Sequence, residues 1–219
     1  MKKLLILTAA LCLLGLTACG APTDGGQQPA GDQQTTAQRV EPMGGTLDPN
    51  ALDDVTAAVT FTADGVHTDT DPATIDVAVY DYDLYDATAI AKLAVGDTVV
   101  VDGKDVVVSS LETGDGYYTV NGDIEQGGVI FAPGDGGTYY VLGMDDAKDY
   151  HQIAALSLPI SADVVVKDSA EDPDAANAKT LTLADVAGLP GDVYGVSANN
   201  THVVISGGAV TEIARTYVP

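Results

Sequence analysis

The chain has 219 residues, with 32 acidic against 9 basic side chains and a net charge of −23. So acidic a surface repels phosphate backbones, which argues against a nucleic-acid binder. Hydrophobic residues make up 46% and charged residues 19%, which is not the composition of a disordered chain, and 2 cysteines cannot build a disulfide scaffold.

The first twenty residues read as an export signal. Lys2 and Lys3 give a basic start, Leu4 to Leu16 is apolar, and small residues lead up to Cys19. The apolar run is too short for a bilayer-spanning helix, which needs roughly 20 residues. Leu16-Thr17-Ala18-Cys19 resembles the lipobox of bacterial lipoproteins. That resemblance implies that Cys19 is diacylglycerated and becomes the mature N-terminus, that residues 1–18 are removed, and that the protein sits lipid-anchored on a cell membrane or outer membrane, facing away from the cytoplasm. Cys12 leaves with the signal, so cysteine nucleophiles and cysteine metal sites are excluded from the folded part. Attachment then comes from the lipid chains and not from the acidic surface.

Residues 19–45 are rich in Gly, Gln, Thr and Pro and carry few large apolar side chains. They are expected to form a disordered tether, spanning roughly 25–30 Å as a random coil. Residues 46–219 are expected to form a single acidic, β-rich ectodomain.

Valine, tyrosine and threonine are common in that segment, and short apolar runs alternate with Gly and Asp turn signals. The fold class expected is all-β and mainly antiparallel, a sandwich or barrel with short helical turns. In chain order, a strand is predicted over 75–80, and Asp86 is predicted to cap a short helix over Ala87–Leu93, closed by Gly96. Thr98–Val101 and Lys104–Val108 read as a hairpin turning at Asp102-Gly103. Tyr117–Val120 and Val129–Ala132 read as a further strand pair. Strands follow at 138–142, 152–157, 162–167 and 193–198. Asp168–Lys179 reads as a solvated loop and Leu183–Ala187 as one helical turn. His202–Ile213 is a last hairpin turning at Gly207-Gly208. The segment Leu93-x-Val95-Gly96-Asp97-Thr98-Val99, with the Gly-rich middle, is similar to domains of uncharacterised bacterial surface lipoproteins. This resemblance implies no activity and carries over no functional residue.

Aspartate supplies 27 of the 32 acids. Asp69 and Asp71 form one Asp-x-Asp cluster, and Asp81, Asp83 and Asp86 another. Alternate aspartates supply the hard oxygen ligands that Ca²⁺ prefers, so these five are candidate calcium ligands, although neither segment matches the EF-hand pattern. The competing role for each is to end strands and hold turns. His67, His151 and His202 form no zinc motif. Gly195-Val196-Ser197-Ala198-Asn199 lacks the last glycine of a nucleophile elbow and reads as strand. Gly134-Asp135-Gly136-Gly137 reads as a turn and not a phosphate loop. Tyr80 and Tyr82 are two apart, so a regular strand would put both on one face, where they are candidate binding residues for a sugar ring or a protein partner. Tyr139 and Tyr140 are expected on opposite faces.

No catalytic constellation stands out. The leading expectation is a non-enzymatic, membrane-anchored binding or envelope-interaction module for an extracellular glycan or protein. The alternatives are a glycan or peptidoglycan hydrolase using paired carboxylates and a calcium-dependent adhesion module. Metabolic labelling with palmitate should mark the wild type and not Cys19→Ala, and mass spectrometry should find the mature chain starting at an acylated Cys19.

Overall fold

The computed structural model describes residues 37–218. The signal peptide, Cys19 and residues 19–36 of the expected tether lie outside the described residues. β1 (Arg39–Val40), β2 (Val55–Thr60), β3 (Val66–His67) and β4 (Thr74–Asp81) come first, followed by β5 (Leu84–Asp86) and helix α1 (Ala87–Ile90). β6 (Thr98–Val101) and β7 (Lys104–Val107) form a hairpin. β8 (Leu111–Gly114), β9 (Tyr117–Val120), β10 (Val129–Pro133) and β11 (Thr138–Val141) form a meander. β12 (His151–Asp168), β13 (Lys179–Leu181), α2 (Leu183–Val186), β14 (Thr201–Ser206) and β15 (Ala209–Arg215) complete the chain. The all-β expectation holds, with antiparallel-rich sheets and short helical turns.

Five strands close into a barrel. β2 pairs with β4, β4 with β12, β12 with β15, β15 with β14, and β14 back with β2. Only the β12–β15 contact in this ring is parallel. This connectivity, with α2 lying between the third and fourth barrel strands in chain order, is shared with OB-type Greek-key barrels. Closure depends on β12, whose 18 residues serve two neighbours in the ring and β13 outside it. Its first half pairs antiparallel with β4 down to Pro159, and from Ile160 onward it pairs parallel with β15. Two strands were expected here, over 152–157 and 162–167. One continuous strand results, because Pro159 stands where the partner changes and its missing N–H costs little there.

Inward residues alternate along the barrel strands: Ile75, Val77 and Val79 on β4, Val203 and Ile205 on β14. Together with Ala57, Val59, Val210 and Ile213 they form one core. A second core lies in the 82–150 insertion between β4 and β12. There the β5–β11–β10–β9–β8 and β1–β6–β7 sheets enclose Tyr85, Val99, Val120 and Phe131. The ring of Tyr85 meets that of Phe131 edge to face, 5.0 Å between centroids, and its hydroxyl donates to the Val100 carbonyl. Both hairpin turns form at the expected dipeptides, with φ of 50° and 69° at Asp102-Gly103 and 61° and 74° at Gly207-Gly208. Asp86 caps α1 by accepting from the Ala89 N–H at 2.9 Å.

Packed structure is already present ahead of the expected boundary at Thr46. Residues 37–47 form a strap that touches both cores. β1 pairs parallel with β6, and Val40 is buried in the insertion core. The Gln38 N–H donates to Asp97, while Met43 and Gly44 exchange backbone hydrogen bonds with Leu84. Leu47 packs on the barrel core. The composition of this stretch is that of a linker, yet Val40 and Leu47 each find an apolar seat.

Residues 193–198 are loop and not strand. Arg215, the last residue of β15, is 2% exposed and points inward. Its Nε and Nη2 grip Asp168 at 3.0 and 2.7 Å, its Nη1 and Nη2 grip Asp192 at 2.8 and 2.6 Å, and Nη1 also reaches the Gly195 carbonyl at 3.0 Å. Asp192 in turn accepts from the N–H groups of Tyr194 and Gly195. These side chains satisfy the backbone that a ladder would otherwise take. Asp168, expected at the head of a solvated loop, instead pairs with this guanidinium.

The Arg215 hydrogen bonds hold the carboxyl of Asp192 below the usual carboxylate range. In Asp168 burial pushes the other way, but the bonds from Arg215 and the Ala170 N–H outweigh it. Carboxyls with lowered folded-state pKa values stabilise the fold above their unfolded values and lose that contribution as acid protonates them. Replacing Arg215 with Gln leaves Asp168 without its partner and should cost about 3 kcal/mol or more in denaturant unfolding at pH 7. The deficit relative to wild type should be full above about pH 5 and shrink below about pH 4.

Candidate binding cleft

The chain passes between barrel and insertion twice, at Tyr82–Leu84 going out and Lys148–His151 coming back. On the outgoing crossing Tyr82 and Leu84 face one side and Asp83 the other. Tyr82, Leu84 and Lys148 line a cleft of about 410 Å³ together with Thr46, Tyr140 and the turn Pro133–Thr138. Asp83, Tyr150 and His151, with the Asp102-Gly103 turn, line a second cavity of about 370 Å³.

The cleft is built around Tyr82. Its ring lies edge to face with Tyr140 at 5.8 Å and with Tyr150 at 5.6 Å between centroids. Lys148 Nζ sits 4.0 Å from the Tyr82 ring centroid and donates to the Tyr82 hydroxyl at 2.8 Å. It is 5.5 Å from the Tyr140 centroid. Burial disfavours the Lys148 ammonium, but the Tyr82 hydrogen bond and the surrounding tyrosine hydroxyls outweigh it and keep its pKa above the ordinary lysine value. Among the described residues no carboxylate lies within ion-pair distance of Lys148.

Asp81 fixes this geometry from behind. It is 2% exposed, at the last inward position of β4. Its carboxyl accepts from the Thr46 hydroxyl at 2.6 Å, the Leu47 N–H at 2.7 Å and the Tyr82 N–H at 2.9 Å. Thr46 and Tyr82 are therefore placed in the cleft by one shared acceptor. Gly45 is required beside it, because a Cβ there would overlap the Asp81 carboxyl.

The sequence-predicted residues are dispersed by the fold. Tyr80 and Tyr82 do not form the expected pair. β4 ends at Asp81, so Tyr82 leaves the strand for the cleft, while Tyr80 stays on the barrel with its hydroxyl 3.5 Å from that of Thr60. The five candidate calcium ligands do not converge either. Asp69 and Asp71 lie exposed in the β3–β4 loop, Asp81 is saturated by protein donors, Asp86 is occupied as a helix cap, and Asp83 faces the second cavity. Among the described residues no group of three or more His, Cys, Asp or Glu side chains is placed to hold a metal ion. Tyr139 and Tyr140 do take opposite faces. Tyr139 packs edge to face on Tyr118 and donates to the Gly116 carbonyl, whereas Tyr140 faces the cleft. Lys148 was not singled out, since it stands between Asp145-Asp146 and Asp149 in what reads as a solvated stretch. The one local signal is the tyrosine two residues on.

The second cavity gathers like charges. Burial lifts the Asp83 carboxyl above its usual range. His151 opposes this, and Asp102 and Asp81 add to it. Burial likewise lifts Asp149, with Asp102 and Asp83 raising it further against His151. Comparison of the chain with protein-family models, curated proteins and solved structures finds no match.

A carboxyl with a raised folded-state pKa destabilises the fold while ionised, and the penalty disappears as pH falls through that pKa toward the unfolded value. Asp83→Asn and Asp149→Asn should therefore each raise the melting temperature at pH 7. The gain should shrink as the pH is lowered and be gone near pH 4, as read by thermal melts across that range.

Proposed function

We propose that this protein is an exported, lipid-anchored binding module whose ligand is an extracellular saccharide. The observation that carries the reading is the Tyr82–Tyr140–Lys148 cleft, in which aromatic rings stand beside hydrogen-bond donors that the protein itself leaves largely unused. Pyranose rings present C–H faces to aromatic rings and hydroxyl oxygens to donors, so such a cleft fits a sugar. Lys148 spends one of its three N–H donors on Tyr82. The Tyr82 hydroxyl accepts that bond and keeps its own proton to donate.

Barrel connectivity supports the same class. OB-type barrels bind oligonucleotides and oligosaccharides across the second and third strands and the adjoining loops. Here that face carries a groove of about 570 Å³ lined by Thr60–Thr62, Asp76–Ala78 and Ala155–Leu156. A charge of −23 disfavours the nucleic-acid option, leaving the saccharide. Export and a lipid anchor at Cys19 place the module where such polymers occur.

Glycan hydrolysis is the second reading, and one observation favours it. Asp83 lines the second cavity with a raised pKa, as an acid catalyst requires, and Asp149, itself raised, is near enough to feel its charge. A panel of chitin, peptidoglycan, xylan and pectin oligosaccharides screened by thermal shift should raise the melting temperature of wild type with at least one member, and Tyr140→Ala should abolish that shift. Release of reducing ends that is lost in Asp83→Asn would select the hydrolase instead.

A further inference from the structure

We propose that the Tyr82–Tyr140–Lys148 cleft recognises an acidic sugar, with the ring carboxylate of a uronic acid paired to Lys148. The proposal rests on the saccharide reading above and narrows it to a chemical class.

The argument starts from where the cations are. The described chain has seven lysines and arginines. Arg39, Lys167, Lys179 and Arg215 each hold a carboxylate. Lys92 and Lys104 are exposed. Lys148 alone is half-buried with no acidic partner among the described residues. In a chain with 32 acids, a neighbouring carboxylate is easy to come by. Its absence leaves a partly desolvated positive charge that only neutral tyrosines solvate, and an anionic ligand can add the ion pair that the protein does not supply.

The surrounding groups define what can supply it. Lys148 Nζ is held in place by Tyr82, from below by the ring and from the side by the hydroxyl, so a ligand meets a pre-positioned ammonium and little rotamer freedom is lost on binding. Two N–H donors remain on it. Tyr140 offers a ring 5.5 Å away on which a pyranose can lie while its carboxylate reaches Nζ. Asp135, at the rim, is an acceptor for sugar hydroxyls. A single ammonium suits a monovalent carboxylate better than a phosphate dianion, which proteins bind with several donors or a guanidinium fork. The overall negative field, and Asp135 in the cleft itself, oppose an anionic ligand, so the contact with Lys148 has to outweigh them. At physiological salt the field is screened beyond about 8 Å, whereas the pair with Lys148 forms at contact.

The discriminating probe is trigalacturonate against its methyl ester, which removes the charge and keeps the ring. Isothermal titration of the full-length chain should show the acid form binding at least tenfold more tightly. Lys148→Gln should reduce the difference to within about twofold, Lys148→Arg should keep most of it, and circular dichroism melts should show both variants folded. Equal binding of acid and ester, or a preference that survives Lys148→Gln, overturns the acidic-sugar inference and leaves the saccharide reading standing. Binding of other glycans from the panel but of neither galacturonate form also overturns the inference alone. Failure of every saccharide to bind overturns both.

Discussion

The carboxyl of Asp81 is the point on which barrel, strap and cleft all depend. β4 alternates core and surface until its last inward position, where the next apolar residue would be, and there it carries an acid. A buried acid is tolerable only if its oxygens are taken. Three donors take them, one from the crossing into the insertion and two from the strap. The same hydrogen bonds that make Asp81 acceptable inside the protein determine where Tyr82 leaves the barrel and where Thr46 comes to rest. The walls of the cleft follow from the need to solvate one carboxyl without water.

The two crossings then divide the chemistry. Tyr82 and Lys148 look one way and Asp83 the other. A cation enclosed by aromatic rings and a set of crowded acids thus lie back to back across two strands of chain. The separation explains why Lys148 keeps no acidic partner although Asp149 is its immediate neighbour in sequence. It also explains why the acids beyond are strained electrostatically. Their natural partner is presented to the other side, and only His151 offsets them.

Much of the fold was legible from local patterns. Asp102-Gly103 and Gly207-Gly208 need positive φ, and nothing but a tight turn uses it between two valine-rich runs. The Asp86 cap is similarly local. What escaped was decided at long range. β2, Val-Thr-Ala-Ala-Val-Thr, is one-third alanine and gives a weak strand signal, yet its small side chains are buried where β4 and β14 flank it. Residues 193–198 are apolar enough to read as a strand, but a guanidinium twenty residues on claims their carbonyl. The strap looks like linker by composition, and what makes it structure is long-range: Val40 and Leu47 seated in different cores, with backbone bonds to β6, Asp97 and Leu84. For the cleft, Tyr82 was identifiable by type and not by company. A period-two argument joined it to Tyr80, whereas the strand ended one residue too early for the period to apply. Lys148 was hidden because its sequence neighbours are acids, and sequence proximity says nothing about which side of an extended chain a charge faces.

The strap also decides how the molecule bears load. The first paired residues, Arg39 and Val40, belong to the insertion and not to the barrel. A pull exerted through the chain ahead of Ala37 is therefore carried first by two backbone pairs, the Asp97 clamp on Gln38 and the seat of one valine. It passes next to the bonds of Met43 and Gly44 with Leu84, then to the hold of Asp81 on Thr46 and Leu47, and reaches β2 only after these. Each stage can peel and reseat while the closed five-stranded ring stays intact. By this order of contacts the strap gives way to such a pull ahead of the ring.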